Sequence, residues 1–219
     1  TKALASIDEK VIPAVYQSRA TSLNNIGFVY QNLNKHKQAI KYFQQGLNQK
    51  KLITDKPSLY SMLLDNLAYS EFKLKDYDRV PSLFYKSLKI RDSLELTIGI
   101  ILNKIHLSEY FLSKKDTIQA IKYSREALES ARSTKNYRNV LVPLKQMAIV
   151  EPKKASLYTK EYIHINDSLQ KAERKIRDKF TRIEYETDEI KNENSDLVVQ
   201  NRNIVYFFSI ITILGLFTF

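Results

Sequence analysis

Apolar positions recur at helical spacing in paired stretches, and the pairs themselves recur about every forty residues. One pair carries Leu23, Ile26, Gly27, Phe28 and Tyr30, then Ala39, Phe43 and Gly46. The next, 41 residues on, carries Leu64, Leu67 and Ala68, then Leu74, Tyr77, Val80, Phe84 and Ser87. A third, 40 further, carries Leu107, Ser108 and Phe111, then Ala120, Ser124 and Ala127. A period of this size marks units that cannot bury an apolar face alone and must stack on their neighbours. The pattern predicts helix pairs at about 20–56, 57–96 and 97–135, and a degenerate fourth unit at 136–165, which holds Met147, Ala148, Ala155 and Tyr162 and has a shorter turn. Residues 1–19 read as the end of a preceding repeat or a cap.

Each unit places small residues at two fixed points. Gly27, Ala68 and Ser108 fall where a first helix must approach its partner closely, and Gly46, Ser87 and Ala127 serve the second helix. Phe43 lies one turn after Ala39, and Phe84 one turn after Val80, so the large partner shares the small residue's face. Asp76 and Asp116 are placed to cap second helices with a side-chain oxygen. Pro57 and Pro143 are placed at helix starts, where a missing N–H costs little.

Beyond the repeats the period changes to seven. Leu169, Ile176, Ile183, Ile190, Leu197 and Ile204 form one seam, and a 3.5-residue stripe of this length predicts a coiled coil over 166–203. The companion seam reads Glu173, Phe180, Thr187, Asn194 and Asn201, with buried Asn favouring two strands at a cost in stability. A parallel homodimer is expected, with Leu169, Ile176, Phe180, Ile183, Ile190, Asn194, Leu197 and Asn201 at its seam. The alternative is a single long helix, laid on the last repeat or solvated by its charges. After Arg202 no charge follows, and 204–219 is a sixteen-residue apolar run with Tyr206 at its polar end. A bilayer core needs ~20 residues, so the run predicts a truncated transmembrane helix.

The repeat residues resemble the tetratricopeptide repeat family, most closely at Leu23, Gly27, Tyr30, Ala39, Phe43 and Gly46. The family's Trp and closing Pro are missing, Glu71 stands where Tyr30 does, and the period exceeds the usual ~34. The predicted class is therefore all-α: a tetratricopeptide-like α-α superhelix, then a long coiled-coil helix and a transmembrane helix. The order of parts, with Tyr162–Leu169 and Ile183–Ile190 ahead of the apolar run, resembles membrane-bound tetratricopeptide regulators of the Bacteroidetes kind. That resemblance implies a single pass through the inner membrane, periplasmic repeats, and a sensor role in signalling or transcription regulation ahead of a missing output domain. The alternative is a tail-anchored scaffold or assembly factor without an output domain. The chain opens at Thr1 without an initiator Met or signal peptide, which reads as a cut inside a longer protein.

Composition narrows the chemistry. Four Gly and five Pro are too few for a many-stranded sheet, and the absence of Cys removes disulfides, thiolate nucleophiles and cysteine zinc sites. The net charge is +11, and with eight Lys/Arg against nine Asp/Glu from residue 166 on, the first 165 residues carry +12; their Lys residues are scattered at helical spacing, so direct nucleic-acid contact is not expected. His36, His106 and His164 are far apart, and His106 reads as a surface residue. No phosphate loop or nucleophile turn occurs, so neither catalysis nor a metal or cofactor is expected.

Binding is expected instead. Stacked pairs expose a concave surface lined by first helices. By repeat position it should hold Asn24, Asn25, Phe28 and Gln31, then Met62, Asp65, Asn66, Tyr69 and Phe72, then Leu102, Ile105 and Glu109. Asn25 and Asn66 are equivalent, and an amide that both donates and accepts suits a peptide backbone. The resemblance implies a peptide or protein ligand there. The other reading is that each Asn ties neighbouring helices together.

Overall fold

A computed structural model of the protein describes residues 19–216. The cap expected at residues 1–19 lies, but for Arg19, outside them. The described residues form α1 (Arg19–Asn32), α2 (His36–Leu47), the short α3 (Leu52–Asp55), α4 (Pro57–Lys73), α5 (Val80–Ser93), α6 (Thr97–Ser113), α7 (Thr117–Ser133), α8 (Tyr137–Val150) and α9 (Ala155–Leu216). A 3-10 turn at Pro152–Lys154 precedes α9. The chain divides into two compact units after Asn166.

In the first unit the small residues decide how closely helices approach. A Cβ on Gly27 would lie 2.5 Å from the fully buried Phe43 ring, so only a hydrogen lets α1 and α2 meet face to face. Gly46 is different from its expected role within a pair. Its missing Cβ would lie 2.9 Å from Leu63 of α4, so it serves the stacking of one pair on the next. Ser87 and Ser108 allow close packing and also donate, to Ser61 O and Ala120 O, both at 2.8 Å. Three apolar clusters follow along the stack, around Phe43 and Leu63, around Phe84 and Leu107, and around Leu128 and Leu144. Tyr158, Tyr162 and Ile165 of α9 cover the last cluster.

The turns between helices share one device that the composition hides. Asn34, Lys75, Glu95 and Lys115 all adopt left-handed backbone, with φ of 56, 62, 53 and 63°. At each, the residue's own N–H and the next N–H return to carbonyls of the preceding helix. At Lys115 these bonds run to Leu112 O and, from Asp116, to Phe111 O, both 2.9 Å. This closure usually carries Gly, because a Cβ is crowded there. The chain has only four Gly and spends none on these turns.

Two expected helix starts are corrected. Asp116 caps α7, accepting from Gln119 N at 3.0 Å, but Asp76 does not cap α5, which begins at Val80. Asp76 instead closes the end of α4 through its N–H to Glu71 O. Pro57 opens α4, whereas Pro143 sits inside α8, fully buried, where its ring fills space despite the lost backbone bond.

In the second unit α9 continues to Leu216, and Ile176, Phe180, Ile183, Ile190 and Leu197 stand exposed on it. The expected transmembrane segment is corrected here. Among the described residues no helix is long and apolar enough to cross a membrane. The last residues of the run, 217–219, lie outside the described residues. The single-pass inner-membrane location, with periplasmic repeats, rested on that segment and falls with it.

Replacing Lys115 with Gly relieves the crowded left-handed backbone without touching the core, and should raise stability by ~1 kcal/mol. Replacing it with Val should lower stability. Chemical denaturation of both variants checks this; a less stable Gly variant would contradict the turn assignment.

Candidate functional site

The first helices α1, α4 and α6 border a groove of about 1090 Å³, closed at one side by the turn at Glu95 and Leu96. Its floor is polar and tightly bonded. Asp65 of α4 is 2% exposed and gathers three neighbours. Arg91 of α5 reaches it at 3.0 Å, Asn103 of α6 donates to it at 2.7 Å, and the His106 ring lies 3.2 Å away. Arg91 also donates to Gly99 O at 2.6 Å. Gly99 leaves room for that side chain, since a Cβ would meet it at 3.0 Å.

Burial alone would push the Asp65 carboxyl up. The His106 ring, Arg91 and the Asn103 N–H outweigh it and hold the group below the usual carboxylate range. A buried charge survives only when paired and hydrogen-bonded, and here each carboxylate oxygen is engaged.

Beside this floor an amide ladder ties α1 to α4. Asn66 donates to Asn24 Oδ1 at 2.9 Å, and Gln31 donates to Asn66 O and Ser70 Oγ, both at 3.0 Å. Asn24, Gln31 and Asn66 are all buried. Asn25, the repeat equivalent of Asn66, is exposed, so the two Asn do different jobs. Asn66 ties helices; Asn25 faces the groove.

The groove's other expected residues separate. Phe28, Met62 and Leu102 line it with exposed apolar surface. Tyr69 lines it too and packs on the His106 ring, centroids 4.3 Å apart. Phe72 does not line it. It is buried against Tyr77 and against Tyr110 of α6, because the helix turns that position into the core between successive pairs. Ile105 likewise belongs to the core. Glu109 is absent from the lining and accepts from Lys73 at 3.0 Å and from Tyr69 Oη at 3.4 Å.

His106 is not the plain surface residue expected, since it faces Asp65 from the groove wall. Its place was visible in the repeat: Asn25, Asn66 and His106 stand 41 and 40 residues apart. Arg91 was missed because it lies on a second helix and reaches the groove only through its length. Gly99, an otherwise unexplained Gly in the first turn of α6, was the available signal. At the groove's far end the Nδ1 of His36 is buried without a partner. Burial, then the charge of Lys73, pushes its pKa down, so the ring is neutral at neutral pH.

The tetratricopeptide repeat family model matches residues 20–51, which hold α1, α2 and the turn after them. No curated protein sequence matches the chain. Among solved structures the apo form of RapI is similar, with a TM-score of 0.62, 16% identity, and coverage of 78% of this chain and 61% of that one. The chain spans about three fifths of that protein's length, and at this identity the likeness is one of fold. Together they give an all-α, tetratricopeptide-like solenoid. The membrane-sensor particulars implied by the Bacteroidetes resemblance find no support in either.

Because its folded pKa is depressed, Asp65 adds stability that is present above its unfolded pKa of about 4 and is lost as pH falls through the folded value. Denaturation midpoints measured from neutral pH down to pH ~2.5 should therefore fall more steeply in the wild type than in Asp65→Asn. Parallel curves would contradict the assignment.

Proposed function

We propose that the chain is a non-catalytic protein-interaction module, holding an extended segment of a peptide or protein partner in the groove across α1, α4 and α6. The carrying observation is the pairing of a fixed polar floor with exposed apolar walls. Asp65 is held by Arg91, Asn103 and His106, and Asn66 by Asn24 and Gln31, so the floor keeps its shape while Phe28, Met62 and Leu102 remain open to a ligand. Preformed sites of this kind lose little on ordering. Asn25 presents an exposed amide at the rim, whose oxygen accepts from Asn24 Nδ2 at 3.5 Å and whose N–H groups can donate along a backbone.

A second reading is favoured by the second unit. The exposed stripe of Ile176, Ile183, Ile190 and Leu197 on α9 supports self-association of the chain as a parallel pair. The domain division follows the same line, with repeats through about 165, ending in the degenerate unit, and a pairing helix from 166 to 203. A signalling or regulatory role, as the resemblance implies, is a further step of this proposal.

The groove is tested with a displayed library of random peptides selected on the wild-type chain. Selected peptides should bind Phe28→Glu and Asn25→Ala at least about tenfold more weakly, a loss of ~1.4 kcal/mol. Both residues are exposed, so melting temperatures should barely move. Equal binding by the two variants would place the ligand elsewhere.

A further inference from the structure

The parallel pairing of α9 read above rests on its apolar stripe, which alone does not choose a direction; the charges beside the seam do. Take Leu169, Ile176, Ile183, Ile190 and Leu197 as the d positions and Glu173, Phe180, Thr187, Asn194 and Asn201 as the a positions. The flanking g positions then include Lys179, Glu186 and Glu193, and the e positions Arg177, Glu184 and Lys191. In a parallel, in-register pair each g residue faces the e residue five positions on in the other copy. Lys179 then meets Glu184, and Glu186 meets Lys191, each twice by symmetry. No like charges face one another.

The antiparallel pair that keeps the whole seam sets Leu169 opposite Asn201. It faces Glu184 with Glu184, Glu186 with Glu186, and Arg177 with Lys191, and of its charged contacts only Lys179 with Glu193 attracts. Its core is also wrong, because Asn194 falls opposite Ile176 and its amide has no partner. Sliding one helix by a heptad in one direction removes the like-charge contacts but sets Leu197, Asn201 and Ile204 opposite residues ahead of the second unit, and in the other direction it faces Glu186 with Glu193. In the parallel pair Asn194 meets Asn194 and Asn201 meets Asn201, where amides can bond across the seam.

We propose that α9 is an orientation-selective surface for a second copy of this chain, in which Lys179, Glu184, Glu186 and Lys191 impose a parallel, in-register pairing. The proposal rests on the self-association read above. Among the described residues its competitors are weak: Lys191 donates to Asp188 at 3.5 Å, with both side chains largely exposed. Glu186 accepts from Arg182 at 2.8 Å, but the two side chains are 53% and 80% exposed, and such a pair is weak. The same rule makes each cross-pair modest, so the device works through number and symmetry. Reversing all of the contacts at once should be visible where one reversal is not.

The experiment uses the full chain and two double variants. Lys179→Glu with Lys191→Glu makes every cross-contact acidic, and Glu184→Lys with Glu186→Lys makes every one basic. Sedimentation across a concentration series at low salt should show wild-type pairs, self-association weakened on the order of tenfold or more in each variant, and pairing restored when the two are mixed. Circular dichroism checks that both variants keep their helix. Direction is read separately, since the chain has no cysteine of its own. Under mild oxidation Leu169→Cys and Asn201→Cys should each cross-link to itself. Cross-linking only in the mixture of the two would show the antiparallel pair and overturn the proposal. Variants that associate as the wild type does would overturn the role of the charges while leaving self-association standing. A wild type that stays monomeric throughout would overturn both.

Discussion

The groove depends on one buried carboxylate. Asp65 lies on α4 and is held by Arg91 from α5 and by Asn103 and His106 from α6, so one side chain fixes three helices against each other. Its charge cannot be left alone in such a place, because an unpaired buried ion costs several kcal/mol. The arrangement is therefore all or nothing. It is also why Gly99 has no side chain and why the turn at Glu95 stands against the groove: Arg91 must pass there to reach both Gly99 O and Asp65.

Around that point the stack is built from contacts too close for ordinary side chains. Gly27 admits the Phe43 ring and Gly46 admits Leu63, one within a pair and one between pairs. Where the small residue is Ser, as at Ser87 and Ser108, the hydroxyl adds a bond to a backbone carbonyl of the facing helix. Tight left-handed turns at Lys75, Glu95 and Lys115 then return the chain at intervals of 20 residues. That interval is half of the forty-residue period, so period and turn express the same geometry.

Most of this architecture was legible in the chain. The period and the small residues are packing patterns that reappear as stacked helix pairs, whereas the seven-residue stripe lies exposed along α9 and its pairing is a proposal. The groove was legible in part, since position along the repeat puts Asn24, Asn25, Phe28, Gln31, Asp65, Asn66 and Tyr69 on its border. It could not show that Phe72 turns inward, because a first helix buries two faces and the pattern at that position is apolar under either. Nor could it show Arg91, whose Cα belongs to another helix and whose length carries it across. The turns were hidden because Lys and Glu occupy positions where Gly is the usual sign. The apolar run at 204–219 suggested a span by its composition, whereas among the described residues no helix is long and apolar enough to cross a membrane.

The central claim, that the Asp65–Arg91 pair acts as a unit under the groove, is tested most directly by a double-mutant cycle of Asp65→Leu and Arg91→Met in denaturant. Each single variant leaves a buried charge without its partner, and each should lose about 3–5 kcal/mol. The double variant should lose clearly less than the sum, with a coupling of ~2 kcal/mol or more. Losses that add to within ~0.5 kcal/mol would mean that the two residues act independently, and the account of the groove floor would be wrong.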